Sequence, residues 1–213
     1  MKNDLATRLA DWTDQIRGIA RTGLHYSESG QGGSSYDRER YERLLGIAAE
    51  MASAITAAPA ESLVAEWRAE GGYVTPKVGV AAAVYDPSGR VLLLKRPDTG
   101  RWALPGGWAE SGSTAAANVV REVAEEVGLT VRVDGLLGVY DSRRNGSRQL
   151  YHFYDVVFRC AVLAGEASRT PEALEVGYFG ADDLPDVTPS HRRPVADALA
   201  WHAGALPVAS FDE

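Results

Sequence analysis

Glu122, Glu125 and Glu126 fall within five positions of the run REVAEEVG, and only Arg121 supplies a positive charge beside them. On a helix, positions 122 and 126 are four apart and 122 and 125 three apart, so their side chains project onto one face. Like charges at those spacings destabilise a helix by about 0.2–0.5 kcal/mol per pair. Carboxylates in a last turn also meet the negative end of the macrodipole, at a further ~0.3–1 kcal/mol. Arg121 offsets part of this through Glu125, but no Lys or Arg stands three or four residues from Glu122 or Glu126. Two readings fit the bare run: a solvated acidic face, or a site for a hard divalent cation, which takes oxygen ligands and prefers clustered carboxylates. The surrounding residues have to separate them.

Those surroundings are LPGGWAESGSTAAANVVREVAEEVGL, residues 104–129. Leu104-Pro105-Gly106-Gly107 predicts a tight turn whose glycines let backbone approach a ligand. Thr114 is a good N-cap, so Ala115 to Val127 should form about three and a half helical turns, stopped by Gly128 in the left-handed region. Ala116, Val119, Val120, Val123 and Val127 share an arc beside the glutamate arc. One flank is therefore expected to pack on a sheet while the acids face a loop and open space.

With these residues in place the chain resembles the Nudix hydrolases. Their signature runs from a glycine through a glutamate to Arg-Glu-apolar-x-Glu-Glu-x-Gly-apolar, and here Gly107, Arg121, Glu122, Val123, Glu125, Glu126, Gly128 and Leu129 fall at the required positions. Ser113 stands where the family has its first glutamate, which supports the loop and often pairs with the arginine of the motif; Glu110 is a candidate substitute. The resemblance implies an α/β/α sandwich with a mixed sheet (α+β class) and a metal-dependent pyrophosphohydrolase. It further implies Mg²⁺ or Mn²⁺ held by Glu122, Glu125, Glu126 and the carbonyl of Gly107, with Glu122 or Glu126 as general base. A metal ion bridging a diphosphate can lower the pKa of a bound water and align the attacking and leaving oxygens. Because Ser113 breaks the pattern, a Nudix-like nucleotide-binding module without turnover is the rival reading.

The segments ARTGLHYSES and YDRERYERLLGIAAEM are similar to the helical extension of Nudix enzymes that act on a nucleoside diphosphate linked to another moiety, with GQGGSS as an insertion. That subgroup implies a CDP-choline-like substrate; ADP-ribose or another nucleoside diphosphate sugar is the alternative. Arg96, Arg101, Arg143, Arg144 and Arg148 are candidates to grip phosphates, and Trp108 to stack on a base; ordinary surface arginine and core aromatic are the competing roles. Tyr140 and Phe153 are further stacking candidates, His152, His191 and His202 are read as structural, and Cys160 as a buried small hydrophobe.

The elements that must position these groups divide at about residue 71. A first helix is expected over 3–22 with Thr22-Gly23 as its stop, a second over 36–55 and a third over 60–69. We expect a small all-α domain over 1–70, a linker over 71–77 and the Nudix domain over 78–213. In the latter, KVGVAAAVYD, GRVLLLKR, TVRVDGLLGVYDS, LYHFYDVVFRCAVL and ALEVGYF read as strands, and Ser190 as the cap of a last helix running to about His202. Hydrophobic residues at 45% suffice for a core, and a net charge of −7 argues against a duplex nucleic-acid binder. One cysteine excludes an intramolecular disulfide, and no apolar run is long enough to span a membrane. A cytoplasmic protein is expected, and the amphipathic extension suggests a homodimer.

Overall fold

The computed structural model describes residues 5–29, 34–147, 149–206 and 208–212, which leaves Arg148 and residues 30–33 of the inserted loop outside the described residues. Two compact units are present, one formed by residues up to 76 together with 149–152, the other by 77–147 and 153–212.

Three helices build the first unit: α1 (Leu5–Glu28), α2 (Ser35–Thr56) and α3 (Ala60–Ala69). Ser34 caps α2 in a reciprocal capping box with Asp37. The stop expected at Thr22-Gly23 is absent, and α1 continues through it. Gly23 serves close packing instead: a Cβ there would lie 2.4 Å from the Tyr41 ring of α2. Ala20, Leu24, Leu45, Ala48, Ala49, Ala52, Leu63 and Trp67 form the core, with Leu150 and Tyr151 packed against it. Arg17, only 3% exposed, lies among Asp14, Glu70 and the Trp67 and Tyr151 rings, so its buried charge is paired and stacked. Asp14 also accepts from the backbone amide of His152 at 2.8 Å, and Trp67 Nε1 donates to the Tyr151 hydroxyl at 3.1 Å. The expected strand from Leu150 therefore starts later, because residues 149–152 belong to the helical unit.

The second unit has the α+β architecture the motif implied. Its strands are β1 (Lys77–Val84), β2 (Val91–Lys95), β3 (Trp102–Ala103), β4 (Gly106–Trp108), β5 (Thr130–Asp141), β6 (Phe153–Ala164), β7 (Glu175–Phe179) and β8 (Ser210–Phe211), with helices α4 (Ala115–Val127) and α5 (Arg192–His202). A mixed five-stranded sheet runs β4-β1-β6-β5-β8 and an antiparallel three-stranded one β3-β2-β7. Strand β1 pairs parallel with β6 and antiparallel with β4. Its continuous apolar run is that of a strand covered on both faces: Val80, Ala82 and Val84 pack with Val119, Val123 and Val127 of α4, while Ala81 and Ala83 pack with Val195 and Ala198 of α5. Ser190 does not cap α5; it sits in a 3-10 turn, Pro189–His191, and the helix begins at Arg192 without a side-chain cap. Among the described residues no helix is long and apolar enough to cross a membrane.

Candidate active site

Helix α4 has the bounds its caps dictate. Thr114 Oγ1 accepts from the Ala117 amide at 3.1 Å, and Gly128 (φ 74°) ends the helix with its amide on the Ala124 carbonyl. Its apolar stripe is clamped to β1, and this fixes where the glutamates go. Glu122 and Glu126 are buried, 9% and 7% exposed, whereas Glu125 is half exposed. The expected projection of all three acids into open space thus holds for Glu125 alone. Residues 122 and 126 share the flank that adjoins Val119 and Val123, so anchoring the valines draws them under the double glycine.

That double glycine is the edge strand β4, a short ladder partner of β1 where the sequence suggested only a turn. Glu126 Oε2 accepts from the Gly106 amide at 2.7 Å. Glu122 lies against Gly107, where a Cβ would sit 2.6 Å from Oε1 and 2.9 Å from Oε2. Burial, then the neighbouring Glu122, push the Glu126 carboxyl up to about 7, against the lowering effect of the Gly106 amide. Glu122 is likewise raised by burial, though Arg121 counters it.

Arg121 connects most of the acids on the outer side. It donates to Glu125 Oε2 at 2.6 Å and Glu122 Oε1 at 2.8 Å, and Glu110 Oε1 stands 3.6 Å away. Glu110, the candidate substitute for the acid absent at Ser113, is the most exposed of these three partners. Asn118, which sequence reasoning passed over, holds the loop to the helix: its Oδ1 accepts from the Glu110 amide at 3.1 Å and its Nδ2 donates to the Glu110 and Thr114 carbonyls. A polar residue one turn before Glu122, at the edge of the valine stripe, was the available signal.

Glu122 and Glu126 fit a hard cation on the chemistry of their oxygens: both are buried carboxylates, Glu122 raises the pKa of Glu126, and their apposition is offset where a divalent charge is shared. The trio is not gathered, however. Glu125 turns to Arg121, and among the described residues no three His, Cys, Asp or Glu side chains converge as an ion-binding group.

The predicted phosphate and base contacts are dispersed. Arg96 forms a two-pronged pair with Asp98 at 3.0 and 2.8 Å, and Glu126 contributes to holding its charge. Arg101 pairs with Asp186 at 3.1 Å. Arg143 is buried and Arg144 exposed in the turn after β5, where both amides reach Asp141 Oδ1. Trp108, 45% exposed, packs edge-on against Phe153 with ring centroids 5.1 Å apart. Tyr140 is core, its hydroxyl on Asp197. His191 is half-buried: its Nδ1 accepts from the Leu104 amide, and desolvation lowers its pKa to about 4.

Comparison with known proteins agrees with this fold. The family model described as NUDIX domain matches residues 75–199, and that described as UDP-X-like, N-terminal oligomerisation domain matches 7–65. A putative ADP-ribose pyrophosphatase of Bacillus subtilis is 34% identical over 189 residues, covering 88% of each chain. An ADP-ribose pyrophosphatase of Methanocaldococcus jannaschii is 36% identical over 62% of this chain and 78% of its own. Among solved structures, a UDP-X diphosphatase superposes with a TM-score of 0.58 at 25% identity over 97% of this chain and 98% of its own. An ADP-ribose pyrophosphatase from Streptococcus suis gives 0.55 at 32% identity over 65% and 100%.

Proposed function

This chain belongs to the Nudix family of hydrolases, and we propose that it cleaves the diphosphate of a nucleoside diphosphate linked to a second moiety, with ADP-ribose as the first substrate to test. One water is consumed: its oxygen bonds to one phosphorus, the bridging P–O bond breaks, and a nucleoside monophosphate and a phosphorylated fragment leave. The observation that carries this reading is the convergence of Glu122 and Glu126 on the double glycine, with Glu126 fixed by the Gly106 amide and Glu122 seated on Gly107.

Nudix hydrolases use a divalent ion such as Mg²⁺ or Mn²⁺, which when bound neutralises the diphosphate and makes water a stronger acid. Glu122 and Glu126 are the residues that would hold it, with the Gly107 carbonyl as a further oxygen; Glu125, paired with Arg121, would join them only on leaving that pair. The carboxylate that accepts the proton of the attacking water is Glu122 or Glu126. Arg96, whose charge Glu126 favours through space, is the candidate phosphate contact best supported by position, and Arg101, Arg143 and Arg144 are assigned less direct roles.

The relatives named for ADP-ribose and UDP-X favour those substrates. CDP-choline rests on the resemblance of the helical extension and of NVVREVAEE, residues 118–126, to that subgroup, and stays in the panel as the second reading. The likeness of residues 7–65 to an oligomerisation domain supports a homodimer. The test is a side-by-side assay of ADP-ribose, a UDP-sugar, CDP-choline and a nucleoside triphosphate with Mg²⁺ or Mn²⁺, products identified by mass. At least one diphosphate should be split by the wild type and by none of the Glu126→Gln protein, whose circular dichroism should be unchanged. Tight nucleotide binding without turnover across that panel would replace the hydrolase with a binding module.

A further inference from the structure

One buried acid plays no part in the site so far. Asp155 on β6 is 8% exposed, and burial alone sets its carboxyl's pKa, up to about 7, with no cation contributing. No described residue donates a hydrogen bond to it. Burying a carboxylate without donors costs free energy, so Asp155 does not hold the fold together, and a side chain kept against its local environment points to a ligand.

Its surroundings show which way it faces. Gly79 of β1 is in register with Asp155 on one side and with Trp108 of β4 on the other, so the three form a single cross-strand row. Residues paired in this way project on the same face of a sheet. Gly79 has no side chain, and Asp155 leans across it: a Cβ at position 79 would lie 2.3 Å from Asp155 Oδ1. The carboxylate therefore reaches over the bare middle strand toward the indole of Trp108. Phe153, two residues before Asp155 and on the same face, braces that indole edge-on. An exposed flat ring opposite a hydrogen-bond acceptor, separated by a glycine, suits a planar ligand that stacks on one and donates an N–H to the other.

Position relative to the candidate active site gives that ligand a name by class. Trp108 directly follows Gly107, and among the described residues β4 has only β1 as a strand partner, so it is the edge of its sheet. A molecule whose diphosphate lies at the double glycine can pass around this edge with its base on the Trp108 side. We propose that Trp108 and Asp155 form a base-reading subsite in which the base stacks on Trp108 and Asp155 accepts a hydrogen bond from an N–H of its Watson–Crick edge. This inference rests on the nucleotide chemistry proposed above but not on turnover.

Binding distinguishes the two. Metal-free protein is titrated calorimetrically with two ligand pairs that differ at one N–H donor: AMP against purine riboside 5′-monophosphate, and UMP against 3-methyluridine 5′-monophosphate. The wild type should prefer the donor-bearing member of at least one pair by about tenfold or more, the scale of one hydrogen bond to a carboxylate. Asp155→Ala should erase that preference, and Trp108→Ala should weaken both members alike. Asp155→Asn, which keeps the volume, serves if the alanine variant is unfolded by circular dichroism, and should reduce the preference in the same sense. A wild type that does not discriminate, or an Asp155 variant that discriminates as well as the wild type, overturns the subsite. Should the wild type cleave no diphosphate yet show the preference and its loss, the hydrolase reading falls and the subsite stands.

Discussion

Asp155→Asn should change how stability depends on pH, and the size of the change follows from the burial of one carboxyl. In the folded chain this group titrates at about 7 against an ordinary value of 3.8, a difference of about three pKa units. At about 1.4 kcal/mol per unit, this is roughly 4 kcal/mol. The folded state binds the extra proton between those two values. Stability is therefore fully present below pH about 4 and is lost as pH rises to about 7. Between pH 5 and pH 8 about two of those units are traversed, so the wild type should lose roughly 3 kcal/mol from this group. Asparagine cannot ionise and escapes that loss. Its amide lacks buried partners, at a cost of about 1–3 kcal/mol, so the variant should be close to the wild type in stability at pH 5 and more stable at pH 8. At ~2–4 °C per kcal/mol, the gap in Tm should move by roughly 6–12 °C in the variant's favour across that range. Urea or thermal unfolding of both proteins at pH 5, 6, 7 and 8 reads it. A gap that stays constant with pH would show that Asp155 is ionised, or protonated, alike in the folded and unfolded chain, and would refute the reasoning.

His191 acts in the opposite sense. Its folded pKa of about 4 lies below the ordinary 6.5, so its contribution is complete above pH about 6.5 and is lost as pH falls toward 4; His191→Gln should flatten the acid limb of the wild-type stability curve in the same titration. Gly107→Ala should fold, because the clash falls on the flexible end of Glu122 at 2.6 Å, yet displacing that carboxylate by about 1 Å should lower kcat on the order of 100-fold. Ser113→Glu, which restores the family's acid, should alter kcat/KM by less than about threefold, since Arg121 already has Glu110, Glu122 and Glu125 as partners; a large gain would mean that Glu110 does not substitute. Light scattering at micromolar concentration should give the mass of a dimer, and a monomer would count against the oligomerisation role.

The helix carrying the acids was readable to its end residues because its caps, its stripe and its stop are all local. The strands were readable as apolar runs, but the pairing of β4 was not: Gly106-Gly107-Trp108 carries a turn signature, and only the parallel partnership of β1 with β6 leaves an edge for it to occupy. The same limit applies to Glu122 and Glu126. Their spacing shows a common face, while their burial depends on how the valine stripe is rotated against β1. Gly23 carried a stop signal that tertiary packing against Tyr41 overrode. Asp155 was invisible for a different reason. In FYDVVFRC it occupies an inward position of a strand, and nothing local shows that its cross-strand neighbour would be a glycine.

Residues 149–152 lie between β5 and β6 in the chain but pack within the helical unit, where Tyr151 and the His152 amide meet Trp67 and Asp14. The two units are therefore threaded together twice, once at the linker and once through this strap. Cutting at the linker does not yield two independent proteins: the catalytic piece would keep a strap whose apolar and hydrogen-bonding partners had gone with the other piece. Insertions or deletions in the strap are for the same reason felt by both units, so the segment that joins two neighbouring strands also limits how freely either unit can be exchanged for another.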